Sequence, residues 1–210
     1  MFPYKGYTGK WLWVDLGTGS VEGHSLDPDL ADLYLGGNGF GTRLLWDWVG
    51  PEVAPLSPGN LLVIATGPLS GTGLASSGRV EVIGKSPLTG IYGDSNAGGF
   101  FGPELKFAGY DQVILRGRAD HPFYLWIRDD QVELRDARGL WGQDVTETTA
   151  AIRAELGDPD LQVAAIGQGA ENGVRFAGLF VNLVRAAART GMGAVMASKN
   201  LKAVAVRGTR

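Results

Sequence analysis

Residues 10–26, KWLWVDLGTGSVEGHSL, alternate large apolar with smaller side chains on either side of GTGS, the pattern of two strands joined by a glycine turn. DPDLADLYLGG follows, with Leu30, Leu33 and Tyr34 at helical spacing, Asp27 or Asp29 as a candidate N-cap, Pro28 in the first turn and Gly36–Gly37 as the stop. TRLLWDWV predicts a second short helix. NLLVIATG and SGRVEVIG read as strands separated by a glycine- and serine-rich loop.

The same order then returns. FYLWIRDDQVEL, residues 123–134, aligns without gaps on LWVDLGTGSVEG, residues 12–23, and puts Asp129–Asp130 where Thr18–Gly19 turn the first hairpin. DVTETTAAIRAELG predicts a helix with Asp144 as N-cap and Glu147 at the spacing of a capping box. LQVAAIGQGAENGVRFAGLF repeats the glycine-separated strand pair. Residues 95–118 align with 186–209 at a constant offset of 91, so that Ala97, Gly102, Val113, Arg116 and Gly117 meet Ala188, Gly193, Val204, Arg207 and Gly208. The expected fold class is α+β: an internally duplicated α+β unit with two packed, mainly antiparallel β-sheets and short helices. It forms one domain over 1–210, with repeats near 10–118 and 122–209.

Composition narrows the chemistry. Hydrophobic residues at 44% and charged residues at 20% are ordinary globular usage, which excludes a disordered or fibrous chain. The formal net charge of −3 is spread along the chain and invites neither nucleic acid nor an anionic membrane. Apolar runs fall far short of the roughly 18 residues a membrane-spanning helix needs. MFPYKGYTGKW lacks an apolar signal core, so a cytoplasmic protein is expected. With no cysteine, the chain cannot ligate an iron–sulfur cluster or present a thiol nucleophile. His24 and His121 have no metal-ligand spacing, and serines 76, 77, 86 and 95 have no histidine nearby to activate them. Asp94 and Glu104 lie near a glycine-rich stretch without forming a recognisable acid/base pair.

The outlier is glycine, 33 of 210 residues without periodicity, which points to tight turns or to backbone brought close to a ligand. SNAGGFFG (95–102) carries such glycines, and AAARTGMG (186–193) matches it 91 positions later. Duplicated units related by a pseudo-twofold axis would bring these loops to either side of it, where backbone N–H groups form anion nests. Arg79, Arg185 and Arg189 lie near the loops in sequence, and guanidinium suits phosphate. GGNGFG (36–41) does not have the spacing of a dinucleotide fingerprint and follows a helix, so it reads as a sharp turn between helices with close backbone packing, with contact to a ligand as the second reading.

GGNGFGTRLLWD, SSGRVEVIGKSPLTGIYGDSNAGGFFGPELKFAGYDQVILRG, IGQGAENGVRFAG and RAAARTGMGAVMASKNLKAVAVRG, in this order and across nearly the whole chain, resemble the N-terminal domain of the aldehyde ferredoxin oxidoreductase family. The resemblance implies oxidation of aldehydes to carboxylic acids by tungsten, or molybdenum, held by two pyranopterins. Electrons would pass through a [4Fe–4S] cluster to ferredoxin. This domain would be the base for the twin pterins, with Arg79, Asn96, Ala97, Gly98, Gly99, Arg185, Ala186, Ala187, Arg189 and Gly191 as cofactor-binding positions. The main-chain carbonyls of Asn96 and Ala186 would bind a magnesium ion bridging the pterin phosphates. Arg79 would lie between a pterin and the cluster region, and Arg185 would neutralise phosphate.

The cluster cysteines would then belong to other domains or a partner subunit, so the chain alone is expected to be non-catalytic; homo-oligomerisation is compatible with this reading. Ala188, Thr190 and Ala197 stand where the family usually has glycine, and any of these that needs positive φ would force the loop to rearrange. The alternative is a stand-alone phosphate- or nucleotide-binding module without redox activity.

Overall fold

The computed structural model describes residues 2–210. The first hairpin, β1 (Lys10–Asp15) and β2 (Ser20–Ser25), leads into α1 (Pro28–Tyr34), whose N-cap Asp27 accepts from the Asp29 N–H at 2.9 Å. Gly36 and Gly37 turn the chain into α2 (Asn38–Trp48). The turn is docked rather than free: Gly37 donates to the Thr66 carbonyl at 2.9 Å, and a Cβ on Gly39 would fall 2.0 Å from the Tyr34 carbonyl oxygen. Gly36–Gly37 make the expected helix–helix turn, whereas Asn38–Gly41 form the first turn of α2, which begins four residues before TRLLWDWV. β3 (Leu62–Thr66), β4 (Val80–Lys85), β5 (Tyr92–Ala97), α3 (Phe101–Phe107) and β6 (Gln112–Arg116) complete the first half.

The second half opens with β7 (Phe123–Arg128) and β8 (Gln131–Asp136), then α4 (Val145–Leu156), which carries the reciprocal capping box of Asp144 and Glu147 and ends at the left-handed Gly157. β9 (Gln162–Ala165), α5 (Gln168–Glu171), β10 (Leu179–Val181), β11 (Arg185–Ala187), α6 (Met192–Ser198) and β12 (Leu201–Arg207) follow.

The first sheet runs β2-β1-β6-β3-β4-β5 and the second, read from its matching edge, β8-β7-β12-β9-β10-β11. Each has a single parallel pairing, β1 with β6 and β7 with β12, at the same place in the order, and the remaining pairings are antiparallel. The fold is therefore a duplicated α+β unit with two mixed sheets. α3 and α6 lie between the sheets and share one apolar core with Leu12, Val82, Leu125 and Val204. The outer faces are covered by α1 and α2 on one side and α4 on the other.

Strand register refines the alignment of the halves. Leu12 lies opposite Val113 and Leu125 opposite Val204, so Leu12 corresponds to Leu125 rather than to Phe123. The first hairpin turns between Asp15 and Ser20, the second between Arg128 and Gln131, a loop two residues shorter. The ungapped alignment thus holds for β2 on β8 and is two residues off for β1 on β7. A slip of two keeps every side chain on its original face, so the hydrophobic pattern did not reveal it.

Three buried lysines brace the fold, Lys199 across the two halves, Lys106 within the first and Lys202 within the second. Lys199 donates to the carbonyls of Asn60 at 2.6 Å and Gly117 at 3.2 Å, and burial pushes its pKa down to about 8, helped by repulsion from Arg116. Lys106 donates to Asp111 at 2.5 Å and to the Gly6 carbonyl at 2.7 Å. Lys202 pairs with Glu171 and donates to the Gln143 carbonyl at 2.8 Å.

Candidate functional site

β5 and β11 are edge strands, one at the end of each sheet, and they lie beside each other. An edge strand leaves the N–H and C=O of alternate residues without ladder partners. Asn96 sits opposite Glu81 on β4 and Ala186 opposite Phe180 on β10, and following the ladder through both sheets makes these two residues equivalent. The helices that follow are related by an offset of 91, whereas these strand residues are 90 apart. The difference lies in the connecting loops: Gly98–Phe100 precedes α3, and the longer Ala188–Gly191 precedes α6. Ser95–Ala97, read as loop from their neighbouring glycines, are the last residues of β5.

The two arms touch directly. The Arg189 N–H donates to Ser95 Oγ at 3.1 Å, and the Thr190 hydroxyl donates to the Asp94 carbonyl at 3.1 Å. On one side of this junction Arg79, Gly98, Gly99, Arg153, Asn182 and Arg185 line an open cleft of about 1060 Å³. On the other side the equivalent corner is closed. The β4–β5 connection there spans 86–91, against 182–184 for β10–β11, and it folds over the loop before α6. A Cβ on Gly191 would meet the Arg175 carbonyl oxygen at 2.0 Å and Pro87 Cγ at 2.9 Å. The duplication makes two equivalent corners, and loop length leaves one accessible.

Three arginines line the cleft, together with the carboxylate of Asp160 and apolar side chains such as Phe100 and Val184. Arg79 donates to Asn96 Oδ1, and Arg153 donates through Nε and Nη2 to the Leu161 carbonyl at 3.1 and 3.0 Å. Among the described residues Arg79, Arg153 and Arg185 have no carboxylate partner, whereas Arg43, Arg135, Arg138, Arg207 and Arg210 form ion pairs elsewhere. A Cβ at Gly98 would meet nothing within 4 Å, so its backbone is open to a ligand. Gly99 has φ of +109° and lies against Asn182 and Arg185.

The expected positions divide accordingly. Arg79, Gly98, Gly99 and Arg185 line the cleft; Asn96 is exposed on the β5 edge and Ala186 half-buried on β11. The side chains of Ala97 and Ala187 are packed in the core, Arg189 is exposed outside the cleft wall, and Gly191 is buried by protein. Arg153 and Asn182 were not singled out, because α4 and the β10–β11 turn bring them in from outside the glycine-rich motifs.

Asp94 accepts from Asn38 Nδ2 at 3.0 Å, and Glu104 accepts from the Gly208 N–H at 2.9 Å, so both hold the fold. His24 stacks on Trp11 with centroids 4.5 Å apart, and among the described residues no cluster of three metal-ligating side chains occurs. No helix of the described residues is long and apolar enough to cross a membrane.

Of the three residues replacing expected glycines, only Thr190 has positive φ, at 61°. Asn182, which lines the cleft, and its neighbour Leu183 also occupy the left-handed region, with φ of 51° and 66°. Leucine gains nothing locally from that conformation, whereas asparagine tolerates it. Leu183→Asn is expected to raise the thermal midpoint by about 2–4 °C, the shift for ~1 kcal/mol in a domain of this size, and a lowered midpoint in calorimetry would contradict it.

Comparison with known proteins places this geometry. Residues 11–208 match the model for the aldehyde ferredoxin oxidoreductase N-terminal domain. The tungsten-containing aldehyde ferredoxin oxidoreductase of Pyrococcus abyssi is 51% identical over 203 residues, covering 97% of this chain and 33% of the relative. An aliphatic sulfonate oxidoreductase WOR-like subunit of Pyrococcus furiosus is 40% identical over 218 residues, covering 97% and 35%. Among solved structures, the active site complex BamBC of benzoyl coenzyme A reductase with 1,5-dienoyl-CoA superposes with a TM-score of 0.96 at 48% identity, over 98% of this chain and 31% of that one. The chain spans about a third of the length of the curated relatives it matches. With the family model covering both sheets and the cleft between them, the chain belongs to the aldehyde ferredoxin oxidoreductase family, as its N-terminal domain.

Proposed function

We propose that this domain docks the paired pyranopterins of a tungsten, or molybdenum, aldehyde:ferredoxin oxidoreductase, with Arg79 and Arg185 as the phosphate-side contacts. The observation that carries the reading is the convergence of Arg79 and Gly98–Gly99 from one half with Arg185 from the other on a single cleft. Its residues fit such a group: arginines lacking carboxylate partners suit phosphate, the open Gly98 backbone permits close approach, and about 1060 Å³ accommodates a large ligand. The equivalent edge positions of Asn96 and Ala186 suit a magnesium ion, which takes hard oxygen ligands including carbonyls and phosphates. When bound, the metal–pterin group supplies the redox chemistry that converts an aldehyde to a carboxylic acid. The chain's own residues bind its phosphates, orient it and shape its floor.

The cluster ligands belong to further domains or a partner subunit, since this chain has no cysteine, and ferredoxin is the indirect electron acceptor. Those domains would cover apolar surface that is open here, including Phe100 at 71% exposure beside the cleft. The chain is read as one domain over 1–210, with repeats at about 10–118 and 122–209. The family match gives no support to a stand-alone nucleotide-binding module.

Co-expression with the cysteine-bearing remainder of a relative is expected to yield a stable complex containing tungsten. Arg79→Ala combined with Arg185→Ala should leave the complex intact and lower its tungsten content about tenfold, the effect of losing charge-assisted hydrogen bonds to phosphate. Unchanged metal content by elemental analysis would overturn the assignment, as would tight binding of a nucleotide in preference to a pterin phosphate.

A further inference from the structure

We propose that Asn182 is a cofactor-recognition residue on the cleft floor, its carboxamide oxygen accepting a hydrogen bond from a ring N–H of the bound pterin; this rests on the docking function proposed above.

The direction of a short amide chain supports the assignment. Gln162 Nε2 donates to the Asp160 carbonyl, which fixes the orientation of that carboxamide. Its Oε1 then accepts from Asn182 Nδ2. Asn182 Oδ1 is left as the free end of the chain: shielded from solvent, with no donor in reach. A shielded acceptor without a donor is a standing cost that native proteins rarely keep without a use. The oxygen lies at the Gly99 corner, where a Cβ on Gly99 would meet it at 3.5 Å and Arg185 Cγ at 3.6 Å.

The placement is specific in kind as well as in position. Arg79, Arg153 and Arg185 offer only N–H donors and therefore match phosphate oxygens. Asn182 offers the opposite polarity, an uncharged acceptor, in the same cleft, and matches the N–H edge of a pterin ring. The left-handed backbone of Asn182 aims the amide there, and its N–H is anchored to the Val163 carbonyl at 3.1 Å. Gly99, with no side chain and a φ of +109°, is the neighbour able to shift when a ring enters.

Two probes separate the polarities: a fluorescent pterin monophosphate and inorganic pyrophosphate, each titrated against the full chain and its variants. The unsubstituted chain is expected to bind both. Asn182→Gly, compatible with the left-handed backbone, should weaken the pterin probe about tenfold, the loss of one hydrogen bond, and leave pyrophosphate unchanged. Asn182→Asp loses the donor to Gln162 Oε1 and adds a negative charge near Arg185, so it should weaken both phosphate-bearing probes, and unchanged binding of both would contradict the placement of Asn182 in the cleft. If Asn182→Gly weakens both probes equally, or neither, the recognition role is wrong while the docking function stands. If the unsubstituted chain binds neither probe, both fall together.

Discussion

Gly193→Ala is expected to destabilise the domain by about 3 kcal/mol or more, the upper range for a buried overpacking substitution. A Cβ there would fall 2.2 Å from the Gly178 carbonyl oxygen and 2.7 Å from its carbon, so the colliding atoms are backbone and cannot swing aside. The helical gain of alanine over glycine, about 1 kcal/mol, does not offset this. Gly102, its counterpart one repeat earlier, is packed in the same way against the Arg79 carbonyl oxygen at 2.9 Å. Both glycines let a helix between the sheets start directly against the approach to a strand. Gly98→Ala is the control: its Cβ enters open space, and a change within about 0.5 kcal/mol is expected. Urea unfolding of the two variants decides the matter, and equal midpoints would show that the helix starts are not tightly packed.

The second large effect concerns the ion pair beneath α5. Lys202→Met should cost about 3–5 kcal/mol, because it leaves the buried Glu171 carboxylate without its partner. Adding Glu171→Gln removes that charge and keeps an oxygen for the Gly142 N–H, which Glu171 Oε2 accepts at 2.8 Å. Most of the stability should therefore return in the double variant. Losses that simply add in the two single variants would show that the carboxylate is not held by the lysine.

The elements legible in the sequence were those whose signals are local. The Asp27 cap, the Asp144–Glu147 capping box and the alternation of β1, β7 and β8 each reside within a few residues of chain. β5 and β11 were hidden because YGDSNA and RAA carry little apolar alternation, and their strand state comes from pairing with β4 and β10. α3 and α6 were hidden by the glycines that let them pack between sheets. Nothing in spacing marks Lys199 or Lys202 as buried, since their partners lie far away in sequence.

The site was legible to the extent that duplication made it so. Repetition picked out Gly98–Gly99 and predicted that two glycine-rich loops would meet, and nearness to those loops in sequence picked out Arg79 and Arg185. It did not reveal that one corner is sealed. That depends on hairpin length, six residues against three, and on Pro87 reaching Gly191.

The pairing of two edge strands has a bearing on how the polypeptide behaves when made by itself. A free sheet margin is a template on which other chains assemble into fibrils, and here two of the four margins shield one another. The outer two, β2 and β8, carry Glu22, Glu133, Arg135 and Asp136, charges that oppose strand addition. Any insolubility of the isolated polypeptide should therefore arise from its apolar patches, and masking those with detergent or a partner should restore it to solution.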